Sequence, residues 1–318
     1  MFYSNLVSVM ENMIEFDYFS DKVSELLKKR INSLKIERIK EGFSGKSYRL
    51  ITSLKGTVEN YFLKEIENKP EYYFYKKIVC KIGVPTPYIY GVLSLDSRTY
   101  ILMEYILSFK TRWNDKQRYL KAIDLLIEKD LSVQNNWKRI KQSKFVNKEV
   151  SYKRIIGDIS RIHEGEKLEI HSSYDELSEF LGRNKSRMKY IQNILSNRGK
   201  LTLCHNDFHL NNVVFSKTDN RVYLIDWKDP NIGSIYIDLA KIVNNAPQKF
   251  QLDLLKYYKS KVQTKDFEYL YPIAEAYDHL GVLSWAVNVA KARKTKVLKY
   301  IDYSYKTKRI IQVISNLS

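Results

Sequence analysis

The chain has 318 residues, 44% of them hydrophobic, which is enough to bury a large core and suits two lobes. Only two cysteines occur, Cys80 and Cys204, far apart and in apolar surroundings, so a disulfide framework is not expected, and a reducing, cytoplasmic setting is. No apolar run approaches membrane-span length, and the stretch Met1 to Phe19 carries Glu11, Glu15 and Asp17 without a basic segment, unlike a signal peptide.

The net charge of +18 invites a polyanion reading. The Lys and Arg residues are spread along the whole chain, however. Their densest stretches, Arg183 to Lys200 and Lys291 to Arg309, also hold apolar residues at helical spacing. These read as solvated helix faces, and nucleic acid is not the expected partner.

In chain order, Asp21 to Ile31 has Val23, Leu26, Leu27 and Ile31 on one side and predicts a short helix. Strands are expected at Leu34 to Ile39, Tyr48 to Thr52 and Tyr61 to Ile66, with a glycine turn, Gly42-Phe43-Ser44-Gly45, between the first two. That turn is not a Walker A loop. Two residues separate its glycines where four are needed, and a strand follows it rather than a helix. Pro70 opens a helix running to about Cys80. Tyr88 to Leu95 and Thr99 to Ile106 read as a hairpin. Beyond Ile106 the pattern is mainly helical. It is interrupted by a strand at Leu201 to Cys204 and a pair at Val213 to Phe215 and Val222 to Ile225.

The most specific pattern follows the Leu201 strand. Cys204-His205-Asn206-Asp207-Phe208-His209-Leu210-Asn211-Asn212 places an Asp and an Asn five positions apart, and Leu224-Ile225-Asp226-Trp227 adds a second Asp after an apolar run. One carboxylate and one amide oxygen are a plausible protein share of a magnesium site, since magnesium wants hard oxygen ligands and keeps several waters. Phosphoryl transfer needs positioning and charge neutralisation more than covalent chemistry.

H-x-D-x-x-x-x-N resembles the catalytic loop of protein kinases. With I-D-W, it is more similar to the aminoglycoside phosphotransferase and choline kinase superfamily, over about Leu34 to Ala240. The resemblance implies an α+β, bilobal protein-kinase-like fold: a small N-lobe with an antiparallel sheet and one helix at 1–106, and a larger, mainly helical catalytic and acceptor-binding C-lobe at 107–318. It implies ATP and magnesium as cofactors, with a small-molecule hydroxyl (an antibiotic, amino alcohol or amino sugar) as acceptor.

By that resemblance Asp207 is the catalytic base or orienter, and Asn212 and Asp226 hold metal. Lys64 contacts the phosphates with Glu71 as its partner. Gly42, Ser44 and Gly45 cover the phosphates. Met103, Glu104 and Ile106 form the adenine hinge, through the Glu104 carbonyl and the Ile106 amide. His205 and His209 support the loop, and Asp238, in a Gly233 to Ala240 stretch like the family's G-D-P-x-x-D-L-A, braces it. Family members often have Gly where Asn206 stands. A kinase-like structural protein of spore-coat type is the alternative, and losing Asp207, Asn212 or Asp226 would favour it. A protein kinase would carry a D-F-G glycine, which Trp227-Lys228 lacks.

For the acceptor, the segment after Ala240 holds six acids against more than twice as many Lys and Arg, which argues against a large polycation. Glu275 and Asp278 share a helix face near Tyr271, Tyr277 and Trp285 and could hold an amine by charge and cation–π attraction. Aromatic residues at this spacing are more often core.

Overall fold

The computed structural model describes residues 18–39, 47–54, 56–66, 69–95, 98–110, 112–168, 170–227, 230–292 and 301–317. The expected turn residues Gly42, Ser44 and Gly45 lie outside them. The chain divides into two compact units, 1–110 with 214–225, and 111–213 with 226–318, where the sequence reading divides at 106/107.

The first unit is built on a five-stranded antiparallel sheet of order β1-β2-β3-β5-β4. Its strands are β1 (Ser33–Ile39), β2 (Ser47–Leu54), β3 (Thr57–Ile66), β4 (Ile89–Leu95) and β5 (Arg98–Glu104). Helix α1 (18–27) buries Phe19 and Val23 with Leu50, Tyr61, Leu63, Leu93, Tyr100 and Leu102. A β-carbon at Gly91 would come within 2.5 Å of Leu26, so the glycine admits α1 against β4. After β3 the chain forms α2 (Lys69–Phe74), a π turn (Tyr75–Val79) and α3 (Cys80–Ile82). Gly83, at φ 78°, ends this run in the left-handed conformation.

The short pair β7 (Val213–Phe215) and β8 (Val222–Leu224) is tied mostly to this first unit. Phe109 N–H donates to the Phe215 carbonyl at 3.1 Å, Lys217 N–H to Leu107 at 2.8 Å, and Leu224 N–H to Pro85 at 2.9 Å. Sequence pattern gave the two strands but not these long-range bonds.

The second unit is mainly helical: α4 (Lys116–Asn135), α5 (Trp137–Gln142), α6 (Tyr152–Lys167), α7 (Ser173–Arg183), α8 (Lys185–Asn197), α9 (Tyr236–Asn244), α10 (Gln248–Lys261), α11 (Phe267–Lys291) and α12 (Tyr303–Ser315). α11 is buried nearly all round and packs against α6, α9 and α12. β6 (Leu201–Cys204) pairs antiparallel with β9 (Asn231–Ser234), with Thr202 opposite Gly233. A β-carbon on Gly233 would meet Ile237 at 2.8 Å and the Cys204 sulfur at 3.1 Å, so glycine is what lets β9 lie this close. No described helix is long and apolar enough to cross a membrane.

Candidate active site

β6 delivers the loop that follows Cys204. The backbone turns at once: Asn206 has φ 66°, a left-handed conformation that Asn tolerates better than most residues. This explains how Asn stands where glycine is common. Asp226, after β8, is also left-handed at φ 68°.

The turn is held from beneath by Asp238, in the first turn of α9 and fully buried. Its two carboxylate oxygens accept the His205 and Asn206 N–H groups at 2.8 and 2.9 Å. Lys129 of α4 donates to the same carboxylate at 2.7 Å and to the Leu203 carbonyl at 2.9 Å. Asp130 lies 3.1 Å from Lys129 and accepts from Thr202 at 2.7 Å. Burial opposes the charge on Lys129, yet Asp130 and Asp238 prevail and hold its pKa above the ordinary lysine value. Burial likewise opposes ionisation of Asp238, and Lys129 with His205 pulls it below the usual range. Lys129 was not among the sequence candidates. A lysine amid the apolar positions of a helix was the only available signal.

Above this brace, Asn212 closes the loop. Its amide donates to the Asp207 carbonyl at 2.8 Å and to Asp207 Oδ2 at 3.0 Å, while its backbone N–H donates to His209 at 2.8 Å. His209 Nε2 donates to the other oxygen, Oδ1, at 3.2 Å. Asp207 N–H reaches His205 Nδ1 at 3.3 Å, and the His205 ring packs edge-on against buried Trp227, centroids 4.7 Å apart. The Asp207 side chain nonetheless stays 46% exposed. Partial burial pushes its pKa up, but the hydrogen bond and charge of His209, with Lys241 and His205, hold the carboxyl well below the usual range. A carboxylate so weakly basic suits orienting a hydroxyl better than seizing its proton early.

Because both amide protons of Asn212 point at Asp207, its Oδ1 is the atom left for a ligand. Among the described residues no group of three or more His, Cys, Asp or Glu forms a metal cage. One amide oxygen and one carboxylate, from Asn212 and Asp226, fit magnesium that is otherwise held by phosphates and water.

In the first unit, Lys64 on β3 and Glu71 in the first turn of α2 meet at 2.6 Å, each with about a tenth of its side chain exposed (10% and 11%). At the end of β5, Met103 is buried and Glu104 N–H donates to the Tyr88 carbonyl at 2.8 Å. The Glu104 carboxylate accepts from Tyr88 N–H at 3.1 Å, and Ile106 follows the strand, half-buried.

The acceptor candidates are not brought together as an open cation site. Glu275 is bound to Arg309 at 2.8 Å and Asp278 to Lys241 at 3.1 Å, both carboxylates buried, whereas Trp285 is exposed further along α11. Their common place on one helix was legible, but their partners come from α9 and α12.

The phosphotransferase enzyme family matches residues 162–272, the part that contains the loop, Asp226 and Asp238. A protein of Metamycoplasma hominis described as uncharacterized is 32% identical over 99 residues, which are 30% of this chain and 19% of that relative, so the match spans about a fifth of the relative's length. Among solved structures, a putative aminoglycoside phosphotransferase of Ralstonia eutropha is similar over 92% of this chain and 95% of its own, with 15% identity and a TM-score of 0.57. A hygromycin-binding aminoglycoside phosphotransferase, APH(4)-Ia, solved with ADP and hygromycin B, is similar over 94% and 99%, with 13% identity and a TM-score of 0.55. A choline/ethanolamine kinase family protein of Mesorhizobium loti is similar over 93% of both chains, with 14% identity and a TM-score of 0.54. The fold is the protein-kinase-like fold of the aminoglycoside phosphotransferases and choline kinases. The family match over 162–272 lies within this fold.

Proposed function

We propose that the chain transfers the γ-phosphoryl group of ATP to a hydroxyl of a small molecule, with magnesium as cofactor. The observation that carries this reading is Asp207: half-exposed, ionised, and fixed through both carboxylate oxygens by Asn212 and His209. A structural loop has no need to hold a carboxylate rigid and keep it open to solvent.

In this reading the substrate hydroxyl donates its hydrogen bond to Asp207. A bond forms between that oxygen and the γ-phosphorus as the bond to the β-bridging oxygen breaks. ADP leaves, and the proton passes to Asp207 and then to solvent. Magnesium, when bound, would neutralise charge on the phosphates, with Asn212 and Asp226 as its protein ligands. Lys64 steers the phosphates while Glu71 keeps its ammonium in place. Met103, Glu104 and Ile106 are the proposed adenine contacts. ADP in a structure of this fold supports the nucleotide assignment.

The test is Mg·ATP consumption by the purified chain across a panel of hydroxyl compounds. Asp226→Ala should weaken magnesium-dependent nucleotide binding. Unchanged Mg·ATP affinity in that variant would remove Asp226 from the metal site.

A further inference from the structure

The positive charge of the chain is unevenly placed. Residues 131–148 hold five Lys and Arg, residues 180–206 hold six, and neither stretch contains an Asp or Glu. Together they supply eleven of the net charge of +18 from under a fifth of the chain. Three of the eleven are engaged: Arg183 pairs with Glu179, Arg187 donates to the Ile314 and Ser315 carbonyls, and Lys148 donates to the Ile140 carbonyl. Lys138, Lys141, Lys144, Lys189, Arg198 and Lys200 are exposed.

The fold brings the two stretches together. Gln134, at the end of α4 and just ahead of α5, donates to the carbonyl of Leu201, the residue after Lys200. Further along, the Val150 N–H donates to Ser196 at 3.0 Å and Gln192 to Glu149 at 3.1 Å, which seats the segment after α5 on α8. Gly199, at φ 71°, has no room for a β-carbon beside Asp266 and Leu270, so the Arg198 to Lys200 turn lies tight against the start of α11. There Tyr269 is exposed and hydrogen-bonded to Tyr190 of α8, with Arg198 in electrostatic range. Acids border this surface: Glu149 is held by Gln192, Asp266 precedes α11, and Glu268 is taken by Lys259.

The chemistry of the surface selects its partner. Ile140 of α5 and Met188, Ile191 and Ile194 of α8 are all buried, so neither helix offers an apolar edge to enter a bilayer. Exposed cations beside an exposed aromatic ring match single-stranded nucleic acid, whose phosphates take the charge while an unpaired base stacks. On α8 the exposed Asn197 donates to the side-chain oxygen of Asn193 at 2.8 Å, one turn back. That leaves the Asn193 amide protons and the Asn197 oxygen for a ligand, a donor and an acceptor that a 2′-hydroxyl satisfies at once.

We infer that this surface binds single-stranded RNA, its phosphates lying along the six cations and a base resting on Tyr269. It replaces the sequence expectation that these helix faces are only solvated. β6 begins at this surface and delivers the catalytic loop at its other end, so the RNA leaves Asp207 open. The inference does not depend on the phosphotransferase reading.

The test measures binding of the full chain to a fluorescein-labelled, mixed-sequence RNA of about 16 nucleotides by fluorescence anisotropy over a salt series. The slope of log affinity against log salt should be about −4, the value for six neutralised single-strand phosphates. The triple variant Lys189→Glu, Arg198→Glu, Lys200→Glu should weaken binding at least about tenfold and flatten the slope. The triple variant Lys138→Glu, Lys141→Glu, Lys144→Glu should do the same. Lys121→Glu, Lys249→Glu, Lys256→Glu makes an equal change in net charge on exposed positions of α4 and α10 and should hold affinity within about twofold. Tyr269→Ala should weaken binding at least about fivefold with the slope unchanged. An equal loss in the α4 and α10 variant would mean that net charge alone binds the RNA, and would overturn the inference. So would absence of binding at about 50 mM salt, tighter binding to phosphatidylserine vesicles, or equal affinity for DNA of the same sequence. Mg·ATP turnover in every surface variant should match that of the unaltered chain, so failure of the RNA assignment leaves the kinase reading standing.

Discussion

Each unit holds a short lysine–carboxylate pair, and the two differ in one respect that matters. Lys129–Asp238, at 2.7 Å, is sealed from solvent. Lys64–Glu71, at 2.6 Å, keeps about a tenth of each side chain open. The sealed pair spends its remaining hydrogen bonds within the protein: Asp238 accepts two N–H groups of the loop, and Lys129 donates to the Leu203 carbonyl and meets Asp130 at 3.1 Å. It can only hold a shape. In the proposed function the more open pair would offer its ammonium to an incoming phosphate, with Glu71 holding it in place. The sealed pair serves as a brace; the proposed role of the other, as a ligand holder, rests on its opening to solvent.

The largest expected effect comes from breaking the brace. Lys129→Met leaves Asp238 buried without its cation and should cost roughly 3–5 kcal/mol, read as a lowered urea midpoint with unchanged slope. A loss under about 1 kcal/mol would mean the pair is not what holds the loop.

Next is a pH effect in the helical unit. Burial above all, then the charge of Lys306, lowers the His279 pKa to about 3. A histidine whose folded pKa lies below its unfolded value of about 6.5 takes up its proton only on unfolding. Its contribution is complete above that unfolded value and is lost as pH falls from there toward the folded one. Stability should therefore drop by about 2 kcal/mol between pH 7.5 and pH 5. His279→Gln should flatten that slope in urea titrations; a slope unchanged by the substitution would refute the assignment.

The open pair should show the reverse balance. Lys64→Met is expected to change stability by only about 1 kcal/mol yet to lower kcat/KM for ATP by at least about tenfold. If melting falls sharply while ATP kinetics hold, Lys64 is a brace too, and the contrast between the pairs disappears.

Much of this was legible in the chain. Strand-like runs bounded by turn residues gave all five strands of the first sheet. The motif spacing places Asp207 and Asn212 at the two ends of one turn, and the fold closes that turn. What the sequence concealed depends on long-range partners. β9 is four residues, Asn231–Ser234, with no alternation, and exists because Gly233 fits against Cys204. Lys129 lies more than 100 residues from Asp238, and nothing local marks it as a brace. Glu275 and Asp278 looked available because Arg309 and Lys241 are on other helices.

The most direct test of the central claim is Asp207→Asn, measured for both turnover and Mg·ATP affinity. The side chain keeps its size and the brace beneath it is untouched. The account predicts a fall in kcat of roughly 10²–10⁴-fold with nucleotide affinity close to that of the unaltered chain. Full residual turnover would contradict it.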